Sequence, residues 1–136
     1  MNAPETLRVV AAVIFDGKQI LACQRSEGRA AQGKWEFPGG KVEAGEHPEE
    51  ALRREIREEL NAELQVGRRL NVSSTDVAGT LIELSCYRCT FVSEVPTSST
   101  DHDELRWLKT TELAEIDWAR PDLPMVRLLT EDFLVQ

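Results

Sequence analysis

Three glutamates near the middle of the chain have the side chains and the spacing for metal chemistry. Glu55, Glu58 and Glu59 are three and four positions apart, which places them on one side of an α-helix. Like charges at these spacings destabilise an isolated helix by about 0.2–0.5 kcal/mol per pair. Mg²⁺ removes such repulsion, and it takes one or two carboxylates together with waters and phosphate oxygens. The spacing indicates a magnesium site, and the simpler alternative is a solvated acidic helix surface.

The segment that must position these glutamates begins at a proline and carries an apolar stripe. Pro48 suits the first helical turn because its φ angle is already helical. Residues four apart then form a stripe that should pack on a core, namely Leu52, Ile56 and Leu60. We therefore predict a helix from Pro48 to about Leu60. A Gly-rich bend at Gly39-Gly40 precedes it.

The spacing of fixed residues extends beyond this helix. Gly40 is followed after five residues by Glu46, and after seven more by Arg54-Glu55-Ile56-x-Glu58-Glu59. This pattern resembles the Nudix box, G-x5-E-x7-R-E-U-x-E-E-x-G-U, where U is apolar. Asn61 stands where the pattern has its last glycine. Asn is the next most suitable residue for the left-handed conformation that often follows a helix, so the departure should cost little local stability.

Other stretches are similar to the MutT-like group of the Nudix family, which includes 8-oxo-dGTP diphosphatases and CTP pyrophosphohydrolases. These stretches are Gln24-Arg25, Trp35-Glu36-Phe37-Pro38-Gly39-Gly40-Lys41, Asp101-His102-x-Glu104-x-x-Trp107 and Pro121-Asp122-Leu123-Pro124. The resemblance implies an α/β Nudix fold, an α/β/α sandwich with a mixed central β-sheet. It covers the whole chain.

The resemblance also implies the metal-binding and catalytic residues. The expected metal-binding positions are Glu55, Glu58, Glu59 and Gly40, with Mg²⁺ as the cofactor and Mn²⁺ as a substitute. The expected catalytic residues are Glu58, Glu55, Arg54 and Asp101. Arg54 would fix the rotamer of a neighbouring glutamate, and Glu46 would brace the loop against the helix. Glu104 is the alternative to Asp101 for this role. The simpler interpretation is that both are solvent-exposed acids, and that Arg54 forms only an ion pair on the helix surface.

The expected substrate-binding residues flank the box. They are Arg25, Phe37, Gly39, Lys41 and Asp122. An ionised Asp122 only accepts hydrogen bonds, so it would favour donors such as cytosine N4 or guanine N1 and N2. The alternative is that Asp122 caps the last helix. Trp35 and Phe37 lie on one short strand, and we expect one to face the base and the other to enter the core.

The implied activity is hydrolysis of a nucleoside triphosphate to a nucleoside monophosphate and pyrophosphate. For a MutT-like protein this would clean the nucleotide pool of 8-oxo-dGTP, or of CTP, dCTP and their modified forms. Two alternatives stay open. One is hydrolysis of another nucleoside diphosphate derivative, such as ADP-ribose or a dinucleoside polyphosphate, and the other is a non-catalytic nucleotide-binding Nudix domain.

Composition limits the partners of the protein. A chain of 136 residues with 41% hydrophobic content is expected to form one domain, 1–136, with one buried core. The net charge of −8 argues against binding to duplex nucleic acid, which depends on Lys and Arg contacts to phosphates. No apolar run approaches the ~18 residues of a membrane span. We therefore expect a cytoplasmic protein, either a monomer or a homodimer, that binds a small nucleotide.

The three cysteines predict reduced, structural thiols. Their number is odd, and Cys86 and Cys89 fall within a strand-like run. Residues three apart on a strand point to opposite faces, so this pair should not hold one metal ion.

The remaining elements follow from hydrophobic periodicity and turn residues. We predict strands at residues 7–15, 18–24, 35–37, 41–43, 62–77, 80–92 and 105–108. Hairpin turns are expected at Asp16-Gly17 and Ala78-Gly79. A small helix over 110–116, capped by Thr110 or Thr111, and a final amphipathic helix with Val126, Leu129 and Phe133 on one side complete the chain.

Overall fold

The computed structural model describes residues 5–131. In that range the strands are β1 (Thr6–Asp16), β2 (Gln19–Arg25), β3 (Trp35–Glu36), β4 (Gly39–Lys41), β5 (Leu64–Val77), β6 (Thr80–Phe91) and β7 (His102–Lys109). The α-helices are α1 (Pro48–Leu60) and α2 (Leu123–Glu131), and 3-10 helices span Thr110–Glu115 and Arg120–Asp122.

The strands form one mixed sheet, as predicted. Its main path runs β3-β2-β1-β6-β5, with β4 beside β1 and β7 beside β2. β1 and β6 are parallel, and the other pairs are antiparallel. The long β5–β6 hairpin turns at Ala78-Gly79, where both residues have positive φ angles of 52° and 88°. Such angles are those of the two-residue turns that match strand twist.

The site is positioned by a divergence between β1 and β2. These strands pair with each other only at Phe15↔Ile20 and Asp16↔Gln19. Further along, β1 pairs instead with β4, and β2 pairs instead with β3. The Ala12 amide donates to the Pro38 carbonyl at 2.8 Å, so the bend between β3 and β4 sits within the sheet. The Gly-rich stretch therefore lies in the gap that the two strands leave.

Apolar residues cover both faces of the sheet. On one face, α1 contributes Ala51, Leu52, Ile56 and Leu60 to a buried cluster. On the other, α2 contributes Met125, Val126 and Leu129 to a second cluster. Residues of β1 alternate between the two clusters, as strand geometry requires. The result is the predicted α/β/α sandwich.

Helix α1 has the predicted bounds and ends as expected. Asn61 follows it with φ 51° and ψ 44°, in the left-handed region, and its amide donates to the Arg57 carbonyl at 3.0 Å. Neither this helix nor any other among residues 5–131 is long and apolar enough to cross a membrane.

Three details of the predicted elements are wrong or lie outside the description. The strand expected at 41–43 is β4, at Gly39–Lys41, because the glycines themselves pair with β1. The 3-10 helix Thr110–Glu115 is capped at Lys109, whose amide donates to Glu112 at 2.7 Å, and not at Thr110 or Thr111. Phe133 lies outside the described residues.

Candidate active site

The three glutamates of α1 differ in how far water reaches them. The Glu58 side chain is 61% exposed and that of Glu55 is 17% exposed. Glu59 is buried, and its Oε2 atom has no hydrogen-bond partner within the described chain. A buried polar atom without a partner is costly and calls for an explanation. Exposure to water therefore decreases from Glu58 through Glu55 to Glu59.

Arg54 connects α1 to the loop in front of it. Its Nε and Nη2 atoms donate to the two carboxylate oxygens of Glu46 at 2.8 and 3.0 Å. Its Nη1 donates to Glu55 Oε1 at 2.9 Å. The hydrogen bonds from Arg54 lower the pKa of Glu46 to about 2, and those same bonds raise the pKa of Arg54. Arg54 thus holds the Glu55 rotamer while Glu46 braces the loop, which is the arrangement expected for both.

Gly40 lies directly against the Glu55 carboxylate. A Cβ atom at Gly40 would come within 2.5 Å of Glu55 Oε2, and one at Gly39 would collide with the Val10 carbonyl. Only glycine fits at either position without displacing a neighbour. β4 therefore brings bare backbone next to the glutamates of α1.

Glu36 is the centre of a second polar group, which we call the Glu36 cluster and define as Glu36, Arg25, Arg29 and His102. Arg25 Nη1 donates to Glu36 Oε1, and His102 Nε2 lies 2.8 Å from Glu36 Oε2. Arg29 Nη1 is 3.7 Å from the same Oε2. Burial alone would raise the pKa of Glu36, but the His102 hydrogen bond and the Arg25 charge lower it overall. His102 is the first residue of β7 and is buried.

Asp101 lies at the end of the loop between β6 and β7, close to the last turn of α1. The Thr100 amide donates to the Glu59 carbonyl at 3.0 Å, and Arg29 Nη1 donates to the Asp101 carbonyl at 2.9 Å. Glu104, the competing acid, is exposed and pairs with Arg106 at 2.8 Å. Of the two candidates, the structure brings only Asp101 toward the glutamates.

The surroundings of Glu55 and Glu59 oppose ionisation of these two carboxyl groups. Burial raises the pKa of Glu59 to about 9, and the charges of Glu36, Glu55 and Asp101 add to that effect. Burial also raises the pKa of Glu55, although Arg54 acts in the opposite direction. The cause is crowding of acids at the edge of a core, where water screens their charges poorly. A cation placed among these acids would instead lower their pKa values.

A cavity of about 660 Å³ opens beside Gly40, next to the Glu55 carboxylate. All five expected substrate-binding residues line it: Arg25, Phe37, Gly39, Lys41 and Asp122. Much of its remaining wall is apolar, from β1, β6 and the Trp118 ring. Gly40 also lines it and joins the cavity to Glu55. The predicted substrate residues are therefore brought together, next to Gly40 and Glu55 of the predicted metal residues.

The part of the cavity wall that contains Asp122 is hydrogen-bonded to β3. The Trp35 amide donates to the Asp117 carbonyl and the Ala119 amide donates to the Trp35 carbonyl, both at 2.8 Å. Asp122 Oδ2 then accepts a hydrogen bond from the Phe37 amide at 2.9 Å. Asp122 thus bonds to the strand-end backbone, which is different from the helix cap considered as an alternative.

The ionised state expected for Asp122 is wrong, whereas Trp35 and Phe37 divide between core and cavity as expected. Burial raises the pKa of Asp122 to about 8, so at neutral pH its carboxyl is mostly protonated and can donate a hydrogen bond. Trp35 and Phe37 share a face of the extended segment and both belong to the α2-side core cluster, but of the two Phe37 lines the cavity and Trp35 does not. Phe37 lines the cavity and lies 4.7 Å from Trp118, centroid to centroid.

Comparison with known proteins decides the family. The NUDIX domain matches residues 5–129. The chain belongs to the Nudix hydrolase family. It is 40% identical over 119 residues to the putative 8-oxo-dGTP diphosphatase 2 of Mycobacterium tuberculosis (strain ATCC 25618 / H37Rv), covering 84% of this chain and 81% of that protein.

Two further relatives agree with this assignment. The CTP pyrophosphohydrolase of Escherichia coli (strain K12) is 34% identical over 125 residues, or 88% of each chain. The solution structure of the MutT protein from methicillin-resistant Staphylococcus aureus 252 superposes with a TM-score of 0.75 at 39% identity, covering 93% of this chain and 96% of that one. Both belong with the MutT-like group that the flanking motifs indicated.

The residues of this Nudix hydrolase fit the divalent ion that the family uses. The unpartnered Glu59 Oε2 offers a hard oxygen ligand, and Gly40 leaves room beside Glu55 for a metal or a phosphate. Within residues 5–131 no three acidic, His or Cys side chains already surround a common point. That is consistent with an ion held by one or two carboxylates, because waters and substrate oxygens supply the other ligands of Mg²⁺.

Sequence reasoning missed part of the Nudix hydrolase site. Glu36 and His102 lie inside motifs that were noted, but their partnership joins positions 66 residues apart. Trp118 carries no local signal beyond its aromatic type. The one available clue to Glu36 was its place on a strand between two buried aromatic residues, where an acid requires a partner.

Proposed function

We propose that this Nudix hydrolase cleaves a nucleoside triphosphate to a nucleoside monophosphate and pyrophosphate, with Mg²⁺ as its cofactor. The observation that carries the proposal is the continuity between the cavity and the acids. The cavity has Phe37, Trp118 and Asp122 in its wall, and at Gly40 it meets Glu55. A base in the cavity would direct its phosphates toward the carboxylates of α1.

The chain's own residues divide the work. Phe37 and Trp118 offer aromatic surface to a base, and neutral Asp122 donates a hydrogen bond to a base acceptor while its Oδ2 stays on the Phe37 amide. Lys41 lines the cavity and makes no ion pair with any residue of the range 5–131, so its ammonium is available to a phosphate. Arg25 is already bonded to Glu36 and to the Ala30 carbonyl, and it shapes the cavity wall.

The acids would bind the metal and the attacking water. Glu55, Glu58 and Glu59 are the candidate ligands, of which one or two at a time, with the Gly40 backbone, would hold Mg²⁺, and Arg54 would keep Glu55 in its rotamer. A bound Mg²⁺ supplies charge neutralisation for the phosphate chain and lowers the pKa of a coordinated water. Glu58 or Asp101 would accept a proton from the water that attacks phosphorus. The α–β phosphoanhydride bond breaks, and the leaving group is pyrophosphate if water attacks the α-phosphorus or the nucleoside monophosphate if it attacks the β-phosphorus.

The substrate is proposed to be a MutT-like one: 8-oxo-dGTP, or CTP, dCTP and their modified forms. A neutral Asp122 donates as well as accepts, so it suits a base that presents a carbonyl oxygen or a ring nitrogen acceptor. Guanine O6 and cytosine N3 both meet that requirement. The names of the two relatives, an 8-oxo-dGTP diphosphatase and a CTP pyrophosphohydrolase, support the same pair of classes.

The test is a panel assay with a matched pair of helix variants. Turnover of dCTP, 5-methyl-dCTP, CTP, dGTP and 8-oxo-dGTP is measured with Mg²⁺, Mn²⁺ or a chelator, and products are separated by ion exchange. We expect monophosphate and pyrophosphate, and no activity with the chelator. Glu58→Gln should lower kcat by about 10²-fold or more because a carboxylate at the ion or the water is lost.

Glu50→Gln serves as the control because Glu50 is exposed in the first turn of α1. It should keep wild-type turnover, and both variants should keep the wild-type melting temperature. If Glu58→Gln kept near wild-type rates, the assignment of α1 as the catalytic helix would be wrong. Turnover confined to ADP-ribose or dinucleoside polyphosphates would instead support the other hydrolase class, and nucleotide binding without turnover would support a non-catalytic domain.

A further inference from the structure

Arg29 joins two loops that are distant in sequence. It lies in the loop between β2 and β3, and its Nη1 atom donates at 2.9 Å to the carbonyl of Asp101, 72 residues further along the chain. The same nitrogen is 3.7 Å from Glu36 Oε2. Arg29 also lines the cavity. One side chain therefore contacts the cavity wall, the Glu36 cluster and the loop that carries Asp101.

The residues on either side of Asp101 are also held by α1 and by β2, where His102 pairs with Arg25. The Thr100 amide donates to the Glu59 carbonyl at 3.0 Å, which connects the segment to α1. The buried His102 ring lies between Ser99 Oγ and Glu36 Oε2, each at 2.8 Å. The Asp101 amide bonds only locally, to Ser99 Oγ at 3.2 Å. Arg29 adds a side-chain hydrogen bond from the loop bordering the cavity to the Asp101 carbonyl itself.

We propose that Arg29 is a positioning residue that holds the Asp101 backbone against the cavity wall and so sets where Asp101 stands relative to Glu59. The proposal rests on the proposed function, in which Asp101 acts on the attacking water or the ion. Through Arg29, the loop of residues 26–34 at the cavity determines the placement of an acid near the glutamates of α1. A nucleotide that contacts this loop would thereby influence the acid.

The geometry favours this role over direct phosphate binding. The Arg29 guanidinium is already directed at a carbonyl and a carboxylate, and its side chain is 32% exposed. A phosphate would have to compete with both acceptors. Lys41 lines the same cavity and forms no ion pair within the described part of the chain, so a cation for phosphate exists without Arg29.

The kinetic test compares Arg29→Ala, Arg29→Lys and the control Arg57→Ala. Misplacing a catalytic group by about 1 Å can cost ~10²-fold in rate. We therefore expect Arg29→Ala to lower kcat by about 10- to 100-fold with KM changed less than about threefold. Arg29→Lys should recover part of kcat, because an ammonium can reach one of the two acceptors. Arg57 is exposed and pairs with Glu63, so its removal should leave both constants unchanged.

A second measurement needs neither substrate nor metal. Hydrogen–deuterium exchange of the peptide covering residues 99–103 reports how tightly that segment is held in the free protein. We expect exchange there to accelerate at least about tenfold in Arg29→Ala and to stay at the wild-type rate in Arg57→Ala. Peptides from α2, on the other face of the sheet, should exchange as in the wild type in both variants.

The possible results separate cleanly. A rise in KM at constant kcat would make Arg29 a substrate ligand and overturn the proposal. Unchanged exchange at residues 99–103 would overturn it as well, whatever the kinetics. Failure of the proposed function is a different result, because the wild-type protein would then show no Mg²⁺-dependent turnover while the exchange experiment could still show that Arg29 holds the segment.

Discussion

Asp122 illustrates how a single buried carboxyl is set by its surroundings. Its Oδ2 accepts the Phe37 amide at 2.9 Å, which favours the charged form. Burial outweighs that bond, and the nearby charge of Glu36 adds to it, so the pKa rises to about 8. At neutral pH the residue is a neutral acid with one donor and one bonded acceptor. Its hydrogen-bonding capacity then resembles that of an Asn.

The raised pKa predicts how stability depends on pH. Between the ordinary Asp value of about 3.9 and the folded value of about 8, the native state binds more protons than the unfolded state. The free energy of unfolding of the wild type should therefore fall as pH rises across this window, by at most about 1.4 kcal/mol per pH unit from this group. Asp122→Asn lacks that contribution, so its stability relative to the wild type should increase with pH until about pH 8. Urea unfolding at pH 5.5, 6.5, 7.5 and 8.5 measures the difference.

Asp122→Ala is the companion variant. It leaves the Phe37 amide buried without its acceptor, whereas Asp122→Asn keeps an acceptor there, so Asp122→Ala should be about 1–3 kcal/mol less stable than Asp122→Asn at every pH. KM for the preferred nucleotide should rise in the Ala variant and stay close to wild type in the Asn variant at neutral pH. A difference between wild type and Asp122→Asn that does not vary with pH would contradict a raised pKa.

At the scale of elements, the site depends on β4 lying against α1. Arg54 links the helix to Glu46 in the connecting loop, and Gly40 on β4 contacts the Glu55 carboxylate. The Nudix spacing is thus a geometric requirement. Gly40 must lack a side chain, Glu46 must reach Arg54, and Arg54 must reach Glu55.

Substitution of Gly40 tests that requirement. In Gly40→Ala the added Cβ would overlap the Glu55 carboxylate, which must then leave its place beside Arg54. We expect Mg²⁺-dependent kcat to fall by about 10²-fold, a loss typical of a misplaced catalytic group, while the far-UV circular dichroism spectrum stays native.

Gly45→Ala is the matched control for Gly40→Ala. Nothing lies within 4 Å of a Cβ at Gly45, but its φ of +78° disfavours any side chain. This variant should lose about 1–2 kcal/mol of stability and keep its kcat. If Gly40→Ala retained full activity, the contact between Gly40 and Glu55 would have no catalytic importance.

Elements with local signals could be predicted from the sequence, and elements defined by distant partners could not. Helix α1 has its proline, its apolar stripe and its left-handed Asn61, so its bounds were predicted correctly. The Glu36–His102 pair joins β3 to β7, and only the folded sheet brings them together. Asp122 was recognised as a base-facing candidate, but its protonation depends on burial that no local pattern reveals. The structure places the predicted substrate residues around one cavity, whereas the protonation of Asp122 could not be predicted from the sequence.

At the scale of the whole molecule, one sheet separates two apolar clusters. β1 contributes to both, with Ala11 and Val13 on the α2 side and Val10, Ala12 and Ile14 on the α1 side. The candidate site lies in the gap between β1 and β2, and α2-side cluster residues such as Phe37 and Trp118 line its cavity. A sheet shared in this way should make both faces unfold together, because exposing one cluster removes the support of β1 for the other.

The cysteines provide a reporter on each face. Cys86 belongs to the α2-side cluster, and Cys23 and Cys89 belong to the α1-side cluster. All three are buried free thiols, as predicted, and burial raises the pKa of each, that of Cys89 to about 12. The thiolate is the reactive form, so the native thiols should be unreactive.

We expect an aromatic disulfide reagent at pH 8 to label no thiol in the native protein and all 3 in denaturant. In variants that keep only Cys86 or only Cys89, the labelling rate at increasing denaturant gives an opening free energy for each face. If both faces open in one cooperative step, the two free energies should agree within about 1 kcal/mol. A much lower value at Cys86 would show that α2 detaches while the α1 side and its glutamates remain folded. The cavity would then open independently of the acids, which would contradict a sheet that unfolds as one unit.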